Sequence, residues 1–176
     1  MDINTLQQIL QSTENEHIDF KQSHYFAQNG AEIDRDNPQE NKFIKDILAM
    51  ANTPRQASAY ILIGIANDRT MVGVDYQIES RYLHDKFAKK CPIAPQFTVY
   101  PLRYENKELC IIEIPLVKYP CPCVVNKDLK KDFLERNRVY YRKGDGNEEA
   151  DQLQIKDINK WLDGLPQGLG SLPDLK

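Results

Sequence analysis

The sequence predicts an α+β fold: a mixed, mostly antiparallel sheet of two hairpins plus an edge strand, covered by three to four helices. Short runs of β-branched and aliphatic residues are separated by turn residues, which is typical of strands and hairpins. Other segments carry apolar residues at helical spacing. A chain of 176 residues can bury one real core. We therefore expect one domain over residues 1–163 and a linker or disordered tail over residues 164–176.

The N-terminal part predicts a short helix and then a strand. Residues 3–10 place four aliphatic side chains on one side of a helix. Apolar and polar residues alternate at the end of the segment 14–21, which is the period of a half-buried strand, so Asp19 and Lys21 share one face. Residues 22–37 show no periodicity and are predicted to form a long exposed loop.

Helix signals are concentrated in the next segment. Asn37 is placed to cap the N-terminus, Pro38 suits the first helical position, and Glu40 stands where a capping box places an acid. This helix needs a sheet to cover its apolar face. The apolar face consists of Phe43, Ile44, Ile47, Leu48 and Ala51.

A fully apolar strand and a return strand follow this helix. Residues 60–66 are too few for an independent amphipathic helix and too apolar for a surface strand, so we expect burial on both faces. Residues 67–70 carry turn chemistry, and residues 71–74 bring the chain back as a hairpin. The Asp68 carboxylate would then lie at the tip of the most buried hairpin.

The remaining chain predicts two more helices, a second hairpin and one further strand. Residues 77–91 have helical periodicity. Residues 97–100 and 109–114 are strong strand formers on the two arms of a hairpin. Residues 139–141 form a strand core, and residues 151–163 form the last helix.

Composition restricts the possible functions. The net charge is −3 with 28% charged residues, so nucleic-acid binding would require a local basic patch. No apolar run approaches the roughly 20 residues of a membrane span, and the N-terminus has no signal-peptide pattern. We therefore expect a cytoplasmic protein without membrane contacts. Nucleotide hydrolysis is the weakest hypothesis, because no GxxxxGK[ST] loop occurs in the chain.

Three acids are candidate ligands for a divalent cation. Glu14 and Asp19 flank the entry to the first strand, and Asp68 lies at the predicted hairpin tip. Mg²⁺ and Mn²⁺ bind oxygen ligands and activate water in phosphodiester cleavage. Lys21, on the face of Asp19, could hold a phosphate or orient the attacking water. The alternatives are solvated surface acids and a lysine that pairs with Asp19.

A basic stretch near the C-terminal end is a candidate nucleic-acid interface. Its cations would contact phosphates and its aromatic rings would stack on bases. An edge strand with one wet face would show the same alternation, so both interpretations stay open. The candidate residues are Arg136, Arg138, Tyr140, Tyr141, Arg142 and Lys143.

Four motifs in order resemble a known family. They are E-x4-D-F-K at residues 14–21, I-x2-ILAMANT at 44–53, ILIGI at 61–65 with VGV at 72–74, and YYRKG at 140–144. Together they look like the Schlafen-type AlbA-like domain, a family associated with DNA binding or a divergent form of ATP binding. The resemblance covers most of residues 3–163.

The resemblance implies a metal-dependent endoribonuclease that acts on structured RNA such as tRNA. It implies a Mg²⁺ or Mn²⁺ triad of Glu14, Asp19 and Asp68. This chain departs from the family pattern at three places. Asp19 replaces the usual glutamate, residues 54–58 replace a Gly-Gly pair, and Ala66-Asn67 replaces the acids that follow I-G-V in many relatives.

Two functions follow from this reasoning. The first is a metal-dependent endonuclease that prefers RNA to DNA and serves as a defence-type effector domain of a larger protein or a homo-oligomer. In such an endonuclease, Glu14, Asp19 and Asp68 would bind metal and Lys21 would orient phosphate. Residues 136–143 would contact the backbone of the nucleic acid. The alternative is a non-catalytic nucleic-acid-binding or regulatory domain of a transcription-regulator-like protein.

Overall fold

A computed structural model describes residues 2–26, 38–129 and 134–166 of the chain. These ranges contain four helices, a mixed sheet of four strands and a separate two-stranded hairpin, which confirms the α+β class. The elements are α1 (Ile3–Gln11), β1 (Ile18–Lys21), α2 (Pro38–Asn52), β2 (Ala59–Ile63), α3 (Ser80–Ala88), β3 (Thr98–Tyr104), β4 (Lys107–Ile114), β5 (Tyr140–Lys143), β6 (Gly146–Glu149) and α4 (Gln152–Gly164).

The main sheet has the strand order β1-β2-β4-β3. β1 pairs with β2 in parallel, whereas β2–β4 and β3–β4 are antiparallel. The predicted hairpin of residues 97–100 and 109–114 is present as β3 and β4, both of which are longer than predicted. Its turn residues Glu105 and Asn106 have φ of 47° and 61°. Positive φ at both central residues matches the twist of antiparallel strands.

The predicted first hairpin differs from the structure. Only one bridge, between Ile65 and Met71, joins its two arms, and residues 72–74 form no strand. β2 pairs instead with β1 on one side and β4 on the other, so both of its edges are already occupied. Gly64, at φ +104°, turns the chain out of β2 against Gly73, where a Cβ would lie only 3.0 Å from the Gly73 carbonyl carbon.

The two faces of the sheet are covered by different helices. A smaller core, which includes Phe20, Leu62 and Ile111, packs with the apolar side of α1. The larger core on the other face contains the apolar face of α2, and all five apolar residues predicted there are buried. β2, which pairs in parallel with β1, is thus covered on both faces, as its apolar sequence predicts.

The end of α2 attaches the β5–β6 hairpin to the rest of the domain. The Asn52 amide donates to the carbonyls of Cys123 (2.9 Å) and Tyr140 (3.0 Å) and accepts from the Cys123 N–H (2.7 Å). The Thr53 hydroxyl accepts from the Arg142 N–H at 2.8 Å. These bonds satisfy buried polar groups and fix the position of β5 beside α2.

Several boundaries differ from the prediction or cannot be compared. α3 is shorter than the predicted helix over 77–91: it follows an extended Glu79 and ends at Ala88. The Gln77 side chain, outside the helix, donates to the Leu109 carbonyl. The Asn37 cap, most of the loop 22–37, and the tail beyond residue 166 lie outside the described residues. Within the described ranges, no helix has the length and apolar character that crossing a membrane requires.

Candidate functional site

A buried group of charges lies between β1, α2 and β5. Asp19 is only 3% exposed and faces α2. Its Oδ2 forms an ion pair with the Lys21 ammonium, 2.5 Å away, and Arg142 Nη2 lies 3.6 Å from Oδ1. Asp19 and Lys21 therefore share one face of β1, as predicted. Lys21 pairs with Asp19, which was the alternative to its predicted contact with a phosphate.

Asp46 is a member of this group that sequence reasoning missed. It is buried on α2, and its carboxylate accepts from the Tyr25 hydroxyl (2.6 Å) and the Asn147 side-chain amide (2.5 Å). The Lys21 ammonium lies 3.7 Å from its Oδ2. One signal was available: Asp46 stands three residues after Phe43 on the apolar stripe of the helix, where a charge needs a buried partner.

We call Asp19, Lys21, Asp46 and Arg142 the charge cluster. Burial raises the pKa of the Asp19 carboxyl, and the adjacent Lys21 ammonium opposes that rise. Burial also raises the pKa of the Asp46 carboxyl, again opposed by Lys21. Two acids and two cations leave the cluster balanced, with the Lys21 ammonium placed between the two carboxylates.

Glu14 acts on the free edge of β1. Its Oε1 accepts from the Phe20 N–H at 2.8 Å, and the neighbouring Asn15 Oδ1 accepts from the Ile18 N–H at 3.1 Å. Both N–H groups point away from β2 and would otherwise be open to another strand. The chain between Glu14 and Phe20, which are six residues apart, therefore folds back and brings the carboxylate onto the edge of β1.

Replacing Glu14 separates this structural role from a metal-binding role. We expect Glu14→Ala to lower the free energy of unfolding by about 1–3 kcal/mol, because the Phe20 N–H loses its acceptor. Glu14→Gln keeps an acceptor oxygen and should stay within about 1 kcal/mol of the parent. Urea denaturation of both variants measures the difference. Equal losses for alanine and glutamine would contradict the edge role.

Asp68 is placed differently from the other two predicted metal ligands. It is exposed, and its Oδ1 accepts from the Thr70 N–H at 2.9 Å, which lowers the pKa of its carboxyl. In the described part of the chain, no three His, Cys, Asp or Glu side chains are grouped so that they could hold a metal ion. The donor set of Glu14, Asp19 and Asp68 thus does not fit a divalent cation in this arrangement.

The predicted basic interface is divided between buried and paired residues. Arg142 and Tyr140 are buried, which corrects the expectation that Arg142 contacts phosphate and Tyr140 stacks on a base. The exposed Arg138 pairs with Glu135 (3.2 Å) and Glu149 (2.9 Å). The other three are an exposed Arg136, a Tyr141 whose hydroxyl accepts from Gln154, and a Lys143 that pairs with Glu148 at 3.2 Å. Their contact with nucleic acid stays a prediction.

A polar cleft opens next to the charge cluster. It has a volume of about 400 Å³ and is lined by residues 21–26, Gln39, Lys42 and Tyr76. Of the described residues that line it, two are lysines and none is an acid. In a chain with a net charge of −3, this composition marks a place that suits an anion.

Solved structures that resemble the chain include the following two. The DIP2311 protein from Corynebacterium diphtheriae matches 90% of this chain with 19% identity and a TM-score of 0.56, and this chain spans 28% of that protein. The N-terminal domain of a RecG-related protein from Nitrosomonas europaea matches 84% of this chain and 92% of its own, with 16% identity and a TM-score of 0.49. The sequence has no match among curated proteins.

The family comparison covers the elements that build the cluster and the cleft. The family model described as Schlafen, AlbA_2 matches residues 14–151. This range begins at Glu14, includes the charge cluster, and ends just after β6. The chain therefore belongs to the Schlafen AlbA_2 family.

Proposed function

We propose that the domain binds nucleic acid without cleaving it. The observation that supports this most directly is the cleft beside Lys21, which is polar, open and lined by two lysines and no acid among its described residues. The phosphodiester backbone of a nucleic acid is an anion that such a cleft could bind. Membership in the Schlafen AlbA_2 family supports the same class of ligand.

Binding through a local cleft has a measurable signature. A protein with two to four phosphate contacts should lose roughly 10- to 100-fold in affinity between 50 and 200 mM salt. We expect this loss for labelled RNA and DNA oligonucleotides in fluorescence anisotropy. Affinity that is absent at low salt, or that does not change with salt, would contradict the proposed function.

Metal-dependent cleavage of RNA, in preference to DNA, is a second candidate. One observation favours it: Asp19 and Asp46 both lie next to Lys21, so two buried carboxylates already meet at one cationic group. For Mg²⁺ or Mn²⁺ to use them, the Lys21 ammonium would have to leave. The balanced charge of the cluster is the reason why we place this candidate second.

The same oligonucleotides separate the two candidates. Incubation of labelled tRNA or hairpin DNA with Mn²⁺ should leave both intact if the domain only binds. Cleavage that requires Mn²⁺, is stopped by EDTA and is lost in Asp19→Asn would establish the second candidate. Asp19→Asn is preferred to alanine because it keeps the volume of the buried side chain.

A further inference from the structure

We infer that the cleft beside Lys21 is a subsite for one nucleotide of single-stranded nucleic acid, with a phosphate on Lys42 and a base against the ring of Tyr76. The inference rests on the proposed function and names its contact residues. Neither Lys42 nor Tyr76 belongs to the charge cluster or to the basic stretch at residues 136–143.

Among the described residues that line the cleft, Lys42 supplies the positive charge that no ion pair balances. The Lys21 ammonium is committed to Asp19 at 2.5 Å and lies 3.7 Å from Asp46, so its charge is largely balanced. Lys42 is exposed on α2 and makes no ion pair with any described residue. Ser23 and Gln22, which also line the cleft, offer a hydroxyl and an amide to phosphate oxygens.

The aromatic wall of the cleft is already held in place. The rings of His24 and Tyr76 stack with centroids 4.6 Å apart and planes 30° apart. The His24 Nε2–H donates to the Tyr76 carbonyl at 2.9 Å, and the Tyr76 hydroxyl donates to the Phe26 carbonyl at 2.5 Å. Because three contacts fix these rings, a base can stack on them at little ordering cost.

This arrangement selects for single strands. The bases of a duplex are stacked on one another, so they cannot reach a side-chain ring without being separated. An aromatic ring next to a lysine, in a cleft of about 400 Å³, suits one unstacked nucleotide. Burial lowers the pKa of His24, so its imidazole is a neutral part of the wall at pH 7.

The test measures binding of one labelled oligonucleotide as a single strand and as a duplex, to matched pairs of variants. Lys42→Ala should weaken single-strand binding several-fold and lower the salt slope by about 0.7, the contribution of one phosphate. Lys42→Arg keeps the charge and should bind like the parent. Lys156→Ala removes an exposed lysine on α4, away from the cleft, and serves as the control.

Tyr76 is tested in the same way. Tyr76→Leu should weaken single-strand binding roughly tenfold or more, because one stacked base is lost. Tyr76→Phe keeps the ring and removes only the hydroxyl, so it should retain most of the binding. Thermal unfolding of both variants shows whether the fold is intact.

The outcomes distinguish this inference from the proposed function. If the parent protein binds no nucleic acid, the proposed function fails. If the parent binds but Lys42→Ala and Tyr76→Leu bind equally well, the domain uses another surface and the subsite is overturned. Tighter binding of the duplex than of the single strand would overturn it as well. Inorganic phosphate that shifts the amide resonances of the cleft, but not those of α4, would support the phosphate contact.

Discussion

Asp19→Ala should destabilise the domain by about 3–5 kcal/mol, the typical cost of removing one partner of a buried ion pair. Asp19 is 3% exposed and Arg142 is 2% exposed, and their side chains lie 3.6 Å apart. Without the carboxylate, the buried guanidinium loses its ion-pair partner. Urea denaturation at pH 7 measures this loss.

A double variant provides the control for this prediction. Replacing Asp19 by leucine and Arg142 by methionine removes both charges and keeps apolar volume, so most of the stability should return. Asp157→Ala, which removes an exposed acid on α4, should have an effect within about 0.5 kcal/mol. A loss below about 1 kcal/mol for Asp19→Ala would show that the cluster contributes little to stability. Loss of function in an Asp19 variant is therefore interpretable only when folding has been measured.

Lys21→Met should destabilise the domain more at pH 8 than at pH 5. Burial raises the pKa of both Asp19 and Asp46, and Lys21 opposes the rise, so the variant raises both pKa values further. A carboxyl whose pKa is higher in the folded than in the unfolded protein makes its full contribution to stability below the unfolded pKa, about 4. That support is lost as the pH rises through the folded pKa.

The size of this pH effect follows from linkage. Each unit of additional pKa shift corresponds to about 1.4 kcal/mol, so we expect a difference of roughly 1–3 kcal/mol between the two pH values. Urea denaturation of the parent and of Lys21→Met from pH 5 to pH 8 measures it. The exposed Lys156→Met controls for removal of a lysine. A deficit that is constant with pH would mean that the ammonium does not act on the two carboxylates.

These two predictions bear on the choice between binding and cleavage. Lys21 already provides the positive charge that Asp19 and Asp46 need, so a divalent cation would have to compete with a covalently attached ammonium. Asp68 also accepts from the Thr70 N–H of its own turn. The residues of the implied metal site thus have structural partners in this chain.

Much of the fold could be predicted from local patterns. The apolar stripe of α2 and the two arms of the β3–β4 hairpin were evident because their periods, 3.6 and 2, are properties of neighbouring residues. The first hairpin was predicted only in part: its arms meet at the antiparallel Ile65–Met71 bridge, but the return arm adds no strand to the sheet. Residues 71–74 look like a strand, but strand pairing depends on which edges of β2 are free, and β1 and β4 occupy both.

The candidate site was predicted only in part. The E-x4-D-F-K motif located Glu14, Asp19 and Lys21, and alternation placed the last two on one face. Asp46 was missed because its partners Tyr25 and Asn147 are 21 and 101 residues away. Arg142 was predicted to contact phosphate because it lies in a stretch of cations and aromatic residues, but packing of β5 on α2 turns it inward.

The sequence by itself determined the α+β class, the family, most of the helices and the face shared by Asp19 and Lys21, because periodicity and motif spacing are local properties. Only the tertiary structure decided which charges meet. Asp46 comes from a helix, Arg142 from a distant hairpin and Lys21 from an edge strand. Burial raises the pKa of the Asp19 and Asp46 carboxyls, and Lys21 opposes that rise. Pairing across such separations follows from packing, which no window of the sequence contains.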